Sequence, residues 1–177
     1  MLVQPVTRLG YGGIEIMPVD GLLRVLFVCI GNAYRSQMAE AFARTLGHDV
    51  LLAESAGLSP ILELPEGTLR VMAEKAVDVS AQAPKSVLDL DLKNYDLVLN
   101  MSGLPIPHLP AAKSRVWKVR DPVGQPDAAL REVRDEIENL VMRLVLEIRQ
   151  TRIQQPPVQQ APVRRERTRL NPKLRGV

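Results

Sequence analysis

Residues 24–36 most restrict how this chain can fold: an aliphatic and β-branched run, RVLFV, then Cys29, five residues, Arg35 and Ser36. The run reads as a buried strand. Beyond Ser36, Met38, Ala41, Phe42, Thr45 and Leu46 recur at helical spacing until Gly47 stops them. A strand, a tight loop and a helix start place successive backbone N–H groups around one concavity, and the helix dipole adds positive potential. Gly31 lets the backbone approach a ligand closely, and Asn32 tolerates the left-handed conformation such loops need.

Arg35 brings to this nest a planar fork matched to two oxygens of a tetrahedral oxyanion. Cys29 lies in the same positive field, which stabilises a thiolate. A lone Cys at the end of an apolar strand is ordinarily an inert buried residue. Arg35 six positions on, at a helix start with Gly and Asn between, favours a functional thiol instead. An anion cradle with a thiolate at its floor suits attack on phosphorus or arsenic. An ATP-type loop is excluded here, because no Gly-Lys-Ser/Thr follows.

The rest of the chain supplies a scaffold. Strands are expected over residues 50–54, 96–101 and 115–119, with Ile14, Glu15 and Ile16 as a short one upstream. Residues 66–77 read as a helix with Leu69, Met72, Ala73 and Ala76 inward, and residues 86–93 as a helical turn. A long helix is expected from Pro126 to about Gln150, buried along Leu130, Val133, Ile137, Leu140, Val141, Leu144 and Ile148. Strands alternating with helices mean a parallel sheet covered on both faces, with the site at the carboxyl ends of its strands.

Composition divides the 177 residues into three parts: an extension over residues 1–21, a domain over 22–150, and a tail over 151–177. The tail holds seven basic residues and one acidic, with Gln and Pro ahead of an Arg run, and reads as disordered. It could dock an anionic partner, although a solvated tail is the plainer reading. Residues 1–150 hold sixteen basic residues against nineteen acidic, so nucleic acid is not an expected partner of the domain. The single Cys fits a reducing compartment, and no apolar stretch reads as a signal peptide or a membrane span; a cytoplasmic protein is expected. His48 and His108 lack metal-ligand spacing and read as surface residues in loops.

The stretch VLFVCIGNAYRSQMAEAFAR resembles the signature of the low-molecular-weight protein tyrosine phosphatases, a superfamily that also contains the thioredoxin-coupled arsenate reductases. The resemblance covers residues 22–150 and implies an α/β fold: a four-stranded parallel sheet with helices on both faces. It implies Cys29 as nucleophile, with Arg35 and the loop residues Ile30, Gly31, Asn32, Ala33 and Tyr34 holding the anion. Ser36 would hydrogen-bond the thiolate, and could also cap the helix. An Asp-Pro pair is ordinarily a turn. Asp121-Pro122, between the fourth strand and the long helix, matches the family's general acid, and Pro122 would stiffen its loop. Neither a metal nor a cofactor is implied.

Departures from the family pattern sharpen the expectation. Tyr34 stands where many relatives carry a second Cys, and Ser102 and Leu109 stand where the arsenate reductases carry their relay cysteines. Residues 58–66 hold no aromatic wall, and Val123-Gly124 follows the Asp-Pro pair, leaving Tyr34 as the ring nearest the anion. Trp117 and the Arg134-Asp135-Glu136-Ile137 stretch lie nearer the arsenate-reductase branch. The expected activity is hydrolysis of a phosphomonoester, protein phosphotyrosine included, through a cysteinyl-phosphate. The alternatives are a single-cysteine arsenate reductase served by a small external thiol, and a phosphate-binding module without turnover.

Overall fold

The computed structural model describes residues 7–8, 15–16 and 21–154. Its centre is a sheet of four parallel strands, β3 (Leu23–Cys29), β4 (Leu51–Gly57), β5 (Leu97–Asn100) and β6 (Ser114–Val116), in the order β4-β3-β5-β6. Ahead of it, β1 (Thr7–Arg8) pairs antiparallel with β2 (Glu15–Ile16). Three α-helices follow the chain: α1 (Arg35–Leu46), α2 (Glu66–Ala73) and α3 (Asp127–Gln154).

Alternation along β3 decides which residues see which layer. Leu23, Val25, Phe27 and Cys29 join one core with Met38 and Phe42 of α1, Val71 and Met72 of α2, and Leu130, Val133 and Ile137 of α3. Leu26 and Val28 face the opposite layer with Ala56, Val98, Val87, Leu92 and Tyr95. Helical cover on both faces is therefore present but unequal in kind. The α-helices share one face, and the other lies under one-turn 3-10 helices, Val87–Asp89 and Leu92–Asn94, with the loop around Ile106.

Several boundaries differ from the sequence reading. β4 runs on through Ser55 and Ala56 to Gly57, because seven residues of β3 are there to pair with it. α2 ends at Ala73, and Ala76 adopts φ 56°, which closes the turn. The inward residues of α2 are Thr68, Val71 and Met72, with Leu69 half-buried against the same core as expected; Ala73 and Ala76 are exposed. α3 extends to Gln154, past the expected boundary at residue 150, because Arg149 and Arg152 still have partners. Arg149 binds Asp49 and the Leu46 carbonyl, and Arg152 donates to the Asp49 and Val50 carbonyls. The tail beyond it, with its basic run and any anionic partner, lies outside the described residues, as does most of the upstream extension. His48 and His108 are exposed, as expected. Among the described residues no helix is long and apolar enough to cross a membrane.

α2 is clamped to α3 by charge. Arg131 and the buried Arg134 both bind Glu74, and Arg134 also donates to the Val71 carbonyl. Hydrogen bonds from Arg131, then Arg134, hold the Glu74 carboxyl down at about 2. A carboxylate lowered in the fold stabilises it above the unfolded value and loses that contribution as pH falls through the folded one. Melting temperature should therefore drop between about pH 4.5 and 2, and Glu74→Gln should flatten that part of the curve. Because the clamp is largely exposed, the difference should shrink in high salt. A Glu74→Gln curve that tracked wild type throughout at low salt would dismiss the clamp.

Candidate active site

The loop from Cys29 to Arg35 is shaped by what its carbonyls bind. The Cys29, Ile30 and Gly31 carbonyls accept from the amides of Leu58, Ser59 and Ile61. Gln37 Nε2 donates to the Asn32 carbonyl, Thr68 Oγ1 to the Ala33 carbonyl and the Met38 amide to the Tyr34 carbonyl. Six consecutive carbonyls are thus tied outward. The amides of residues 30–35 have no protein acceptor among the described residues. Unpaired N–H groups around one concavity make an anion nest, and the start of α1 adds its dipole.

Asn32 holds the loop's shape from inside. It sits at φ 48°, the left-handed conformation expected of it, and is fully buried. Its amide nitrogen donates to Ser36 Oγ at 2.8 Å and Ser55 Oγ at 2.9 Å, and its oxygen accepts from the Lys85 amide. Ser55 Oγ donates at 2.5 Å to Glu40, itself buried and paired with Arg44. Ser36 Oγ lies 3.0 Å from Cys29 Sγ. Ser36 does not cap the helix: α1 begins at Arg35, with Tyr34 at the cap position and no side-chain cap bond.

Gly57 makes room for the nest. A Cβ there would meet the Ile30 carbonyl oxygen at 2.7 Å and the Asn32 amide nitrogen at 2.9 Å. Both are backbone atoms, so the loop itself would have to move. Gly57→Ala should lower turnover at least about tenfold and stability by about 1–3 kcal/mol. Wild-type kinetics in a folded Gly57→Ala protein would show that the loop tolerates the shift.

Arg35 and Asp121 meet across the sheet. Arg35 is buried at 5% exposure, and its Nη1 donates to the Met101 carbonyl at 2.7 Å and the Val119 carbonyl at 3.2 Å. Its Nη2 is paired with Asp121 Oδ2. One nitrogen of the fork is thus committed to the scaffold, and the other is held by the candidate acid. Asp121 comes five residues after β6, which ends at Val116 rather than at the expected Val119. The Val123 amide donates to Asp121 Oδ1 at 3.2 Å, and Pro122 is buried.

These groups line a cavity of about 310 Å³ with Ile30, Gly31, Ala33, Tyr34, Ser59, Ile61, Pro65 and Val123. Cys29 lies at its floor with 3% exposure. All the sequence-expected residues come together here except Asn32 and Ser36, which stand behind the wall and act through their hydrogen bonds. Sequence reasoning missed Glu40, Ser55 and Thr68, and the carbonyls that seat Arg35. Ser55-Ala56-Gly57 at the end of the second sheet strand carried the only signal for the Ser55 contact. No group of three or more potential metal ligands occurs among the described residues.

Known proteins share this architecture. A family model described as low molecular weight phosphotyrosine protein phosphatase matches residues 24–155. The glutaredoxin arsenate reductase of Synechocystis is 33% identical over 129 residues, covering 71% of this chain and 98% of that protein. An arsenate reductase solved in its phosphate binding state superposes with a TM-score of 0.65 at 31% identity, over 72% of this chain and 99% of that one. A low molecular weight protein tyrosine phosphatase from T. tengcongensis gives 0.62 at 29%, over 71% and 99%. The shared four-stranded sheet, together with a match over most of the chain, makes this protein a member of the low molecular weight phosphotyrosine protein phosphatase family.

Proposed function

We propose that the chain is a phosphomonoester phosphatase working through a cysteinyl-phosphate on Cys29. The observation that carries this reading is a loop with six acceptor-free amides that shares one cavity with the Cys29 thiol, a guanidinium and a carboxylate. The Cys29 thiolate attacks phosphorus, and the S–P bond forms as the P–O bond to the leaving group breaks. Asp121 gives its proton to the departing oxygen. Asp121 then accepts a proton from the water that attacks phosphorus, the S–P bond breaks, and inorganic phosphate leaves. The amides and Arg35 hold the equatorial oxygens, where charge develops. Ser36 Oγ, 3.0 Å from Sγ, stabilises the thiolate as attacker and as leaving group. A phosphorylated side chain, phosphotyrosine included, is the proposed substrate.

A second reading is favoured by the relatives named arsenate reductases. Cys29 is the only cysteine in the sequence, so both electrons would have to pass through external thiols. Cys29 would displace water from arsenate to form a thiol–arsenate adduct. An external thiol would attack the Cys29 sulfur, leaving the S–As pair on arsenic and forming a mixed disulfide. A second thiol would restore Cys29.

Mass spectrometry of enzyme quenched during turnover of an aryl phosphate separates the two. A phosphate adduct on Cys29 supports the phosphatase. Arsenate consumed only with added small thiol, and no phosphate adduct, would replace it with the reductase.

A further inference from the structure

Almost every polar side chain lining the pit already has a partner. Cys29 has Ser36, while Arg35 and Asp121 have each other and the neighbouring backbone. Two hydroxyls are left without a hydrogen bond among the described residues, those of Ser59 and Tyr34. Ser59 is exposed, so water serves it. Tyr34 differs: it is half-buried, and its side chain packs against the main core. The rest of the wall is Ile30, Ala33, Ile61, Pro65 and Val123, which offer a phenol nothing to bond. Water reaches the Tyr34 hydroxyl, and a phenol on the wall of an anion cradle can exchange that water for an anion oxygen.

We propose, on the oxyanion-binding reading of this pit, that Tyr34 touches the substrate and that its hydroxyl donates a hydrogen bond to an oxygen of the bound tetrahedral anion. The amide nest and Arg35 serve that anion from the loop backbone and the core. The phenol adds a neutral donor from a long side chain that begins on the loop itself. The packed ring is fixed beforehand, so little side-chain entropy is lost on binding. The ligand class is a phosphate-like oxoanion or its monoester, and Tyr34 determines how tightly it is held. Tyr34 would then do more than lend the loop its backbone amide.

Tyr34→Phe removes the hydroxyl and keeps the ring. The test is calorimetric titration of the full chain with inorganic phosphate, with thermal unfolding run beside it. Phosphate should bind about tenfold more weakly to Tyr34→Phe, at unchanged melting temperature. With phenyl phosphate, KM should rise by about the same factor while kcat stays within about twofold. Equal phosphate affinity in wild type and Tyr34→Phe would overturn the proposal. So would a Tyr34→Leu variant that lost affinity when Tyr34→Phe had not, since the ring alone would then matter. A wild-type chain that bound phosphate but hydrolysed no ester would sink the phosphatase reading, and the titration would still decide Tyr34. A wild-type chain that bound no phosphate would overturn both.

Discussion

Cys29→Ser should abolish turnover and leave phosphate binding intact. The sulfur sits at the floor of the pit and is the only thiol in the chain, so no neighbour can take over the attack. The elements that hold an anion do not depend on it. The six inward amides are set by the contacts of their carbonyls with residues 58–61, Gln37, Thr68 and Met38. Asn32 still donates to Ser55 and binds the Lys85 amide. A serine hydroxyl is a far weaker nucleophile than a thiolate, so activity on any phosphomonoester should fall to background. Titration of Cys29→Ser with phosphate should give an affinity within about threefold of wild type, because the cradle is unaltered. Measurable turnover in Cys29→Ser would remove the cysteinyl-phosphate from the mechanism. Loss of binding in a folded variant would mean that the thiolate, not the nest, organises the loop.

Asp121→Asn carries the second large effect, and it has two parts of opposite sign. The rate on substrates with poor leaving groups should fall by about 10²- to 10⁴-fold, since an amide N–H is far too weak an acid to give its proton. The loss should shrink for leaving groups that depart readily without one. Affinity for phosphate should rise at the same time. In the empty site Asp121 holds Nη2 of Arg35, the part of the fork not committed to the Met101 and Val119 carbonyls. An incoming oxyanion must displace that carboxylate, and exchanging a carboxylate for an amide removes both a competitor and a like charge. The side chain of Asp121 is 38% exposed, so the pair is discounted to about 1 kcal/mol, or about fivefold in affinity. Equal losses on good and poor leaving groups would mean that Asp121 is not the acid. Unchanged or weaker phosphate binding would mean that the Arg35–Asp121 pair does not compete with the ligand.

The same pair suggests how the cycle is ordered. Arg35 and Asp121 neutralise each other while the pit is empty, and the anion separates them. On the proposed mechanism the freed carboxylate takes up a proton from solvent before it can serve a leaving group as acid. Local geometry supports such an exchange: Asp121 lies in a short loop after β6, stiffened by the buried Pro122 and tied to the Val123 amide, while Arg35 is anchored by the Met101 and Val119 carbonyls.

Sequence alone determined the parts of this protein that depend on neighbours in the chain. The RVLFV run, the Cys-x5-Arg spacing, the helical stripe ending at Gly47 and the long stripe from Leu130 to Ile148 all set local dihedrals or burial. They were enough to give the α/β class and to mark the loop with its candidate nucleophile. Tertiary structure decided what depends on residues far apart. The outward carbonyls of the loop need residues 58–61 and Thr68, and the room for them needs Gly57. Glu40 lies on a helix face that propensity would expose, and it is buried because Ser55 of β4 reaches it. Arg35 finds its two carbonyls 66 and 84 residues away, and its carboxylate 86 residues away. Periodicity records which face of an element is buried, but not which partner lies against it. Pairing at such separations exists only once the sheet order β4-β3-β5-β6 has brought the strand ends together.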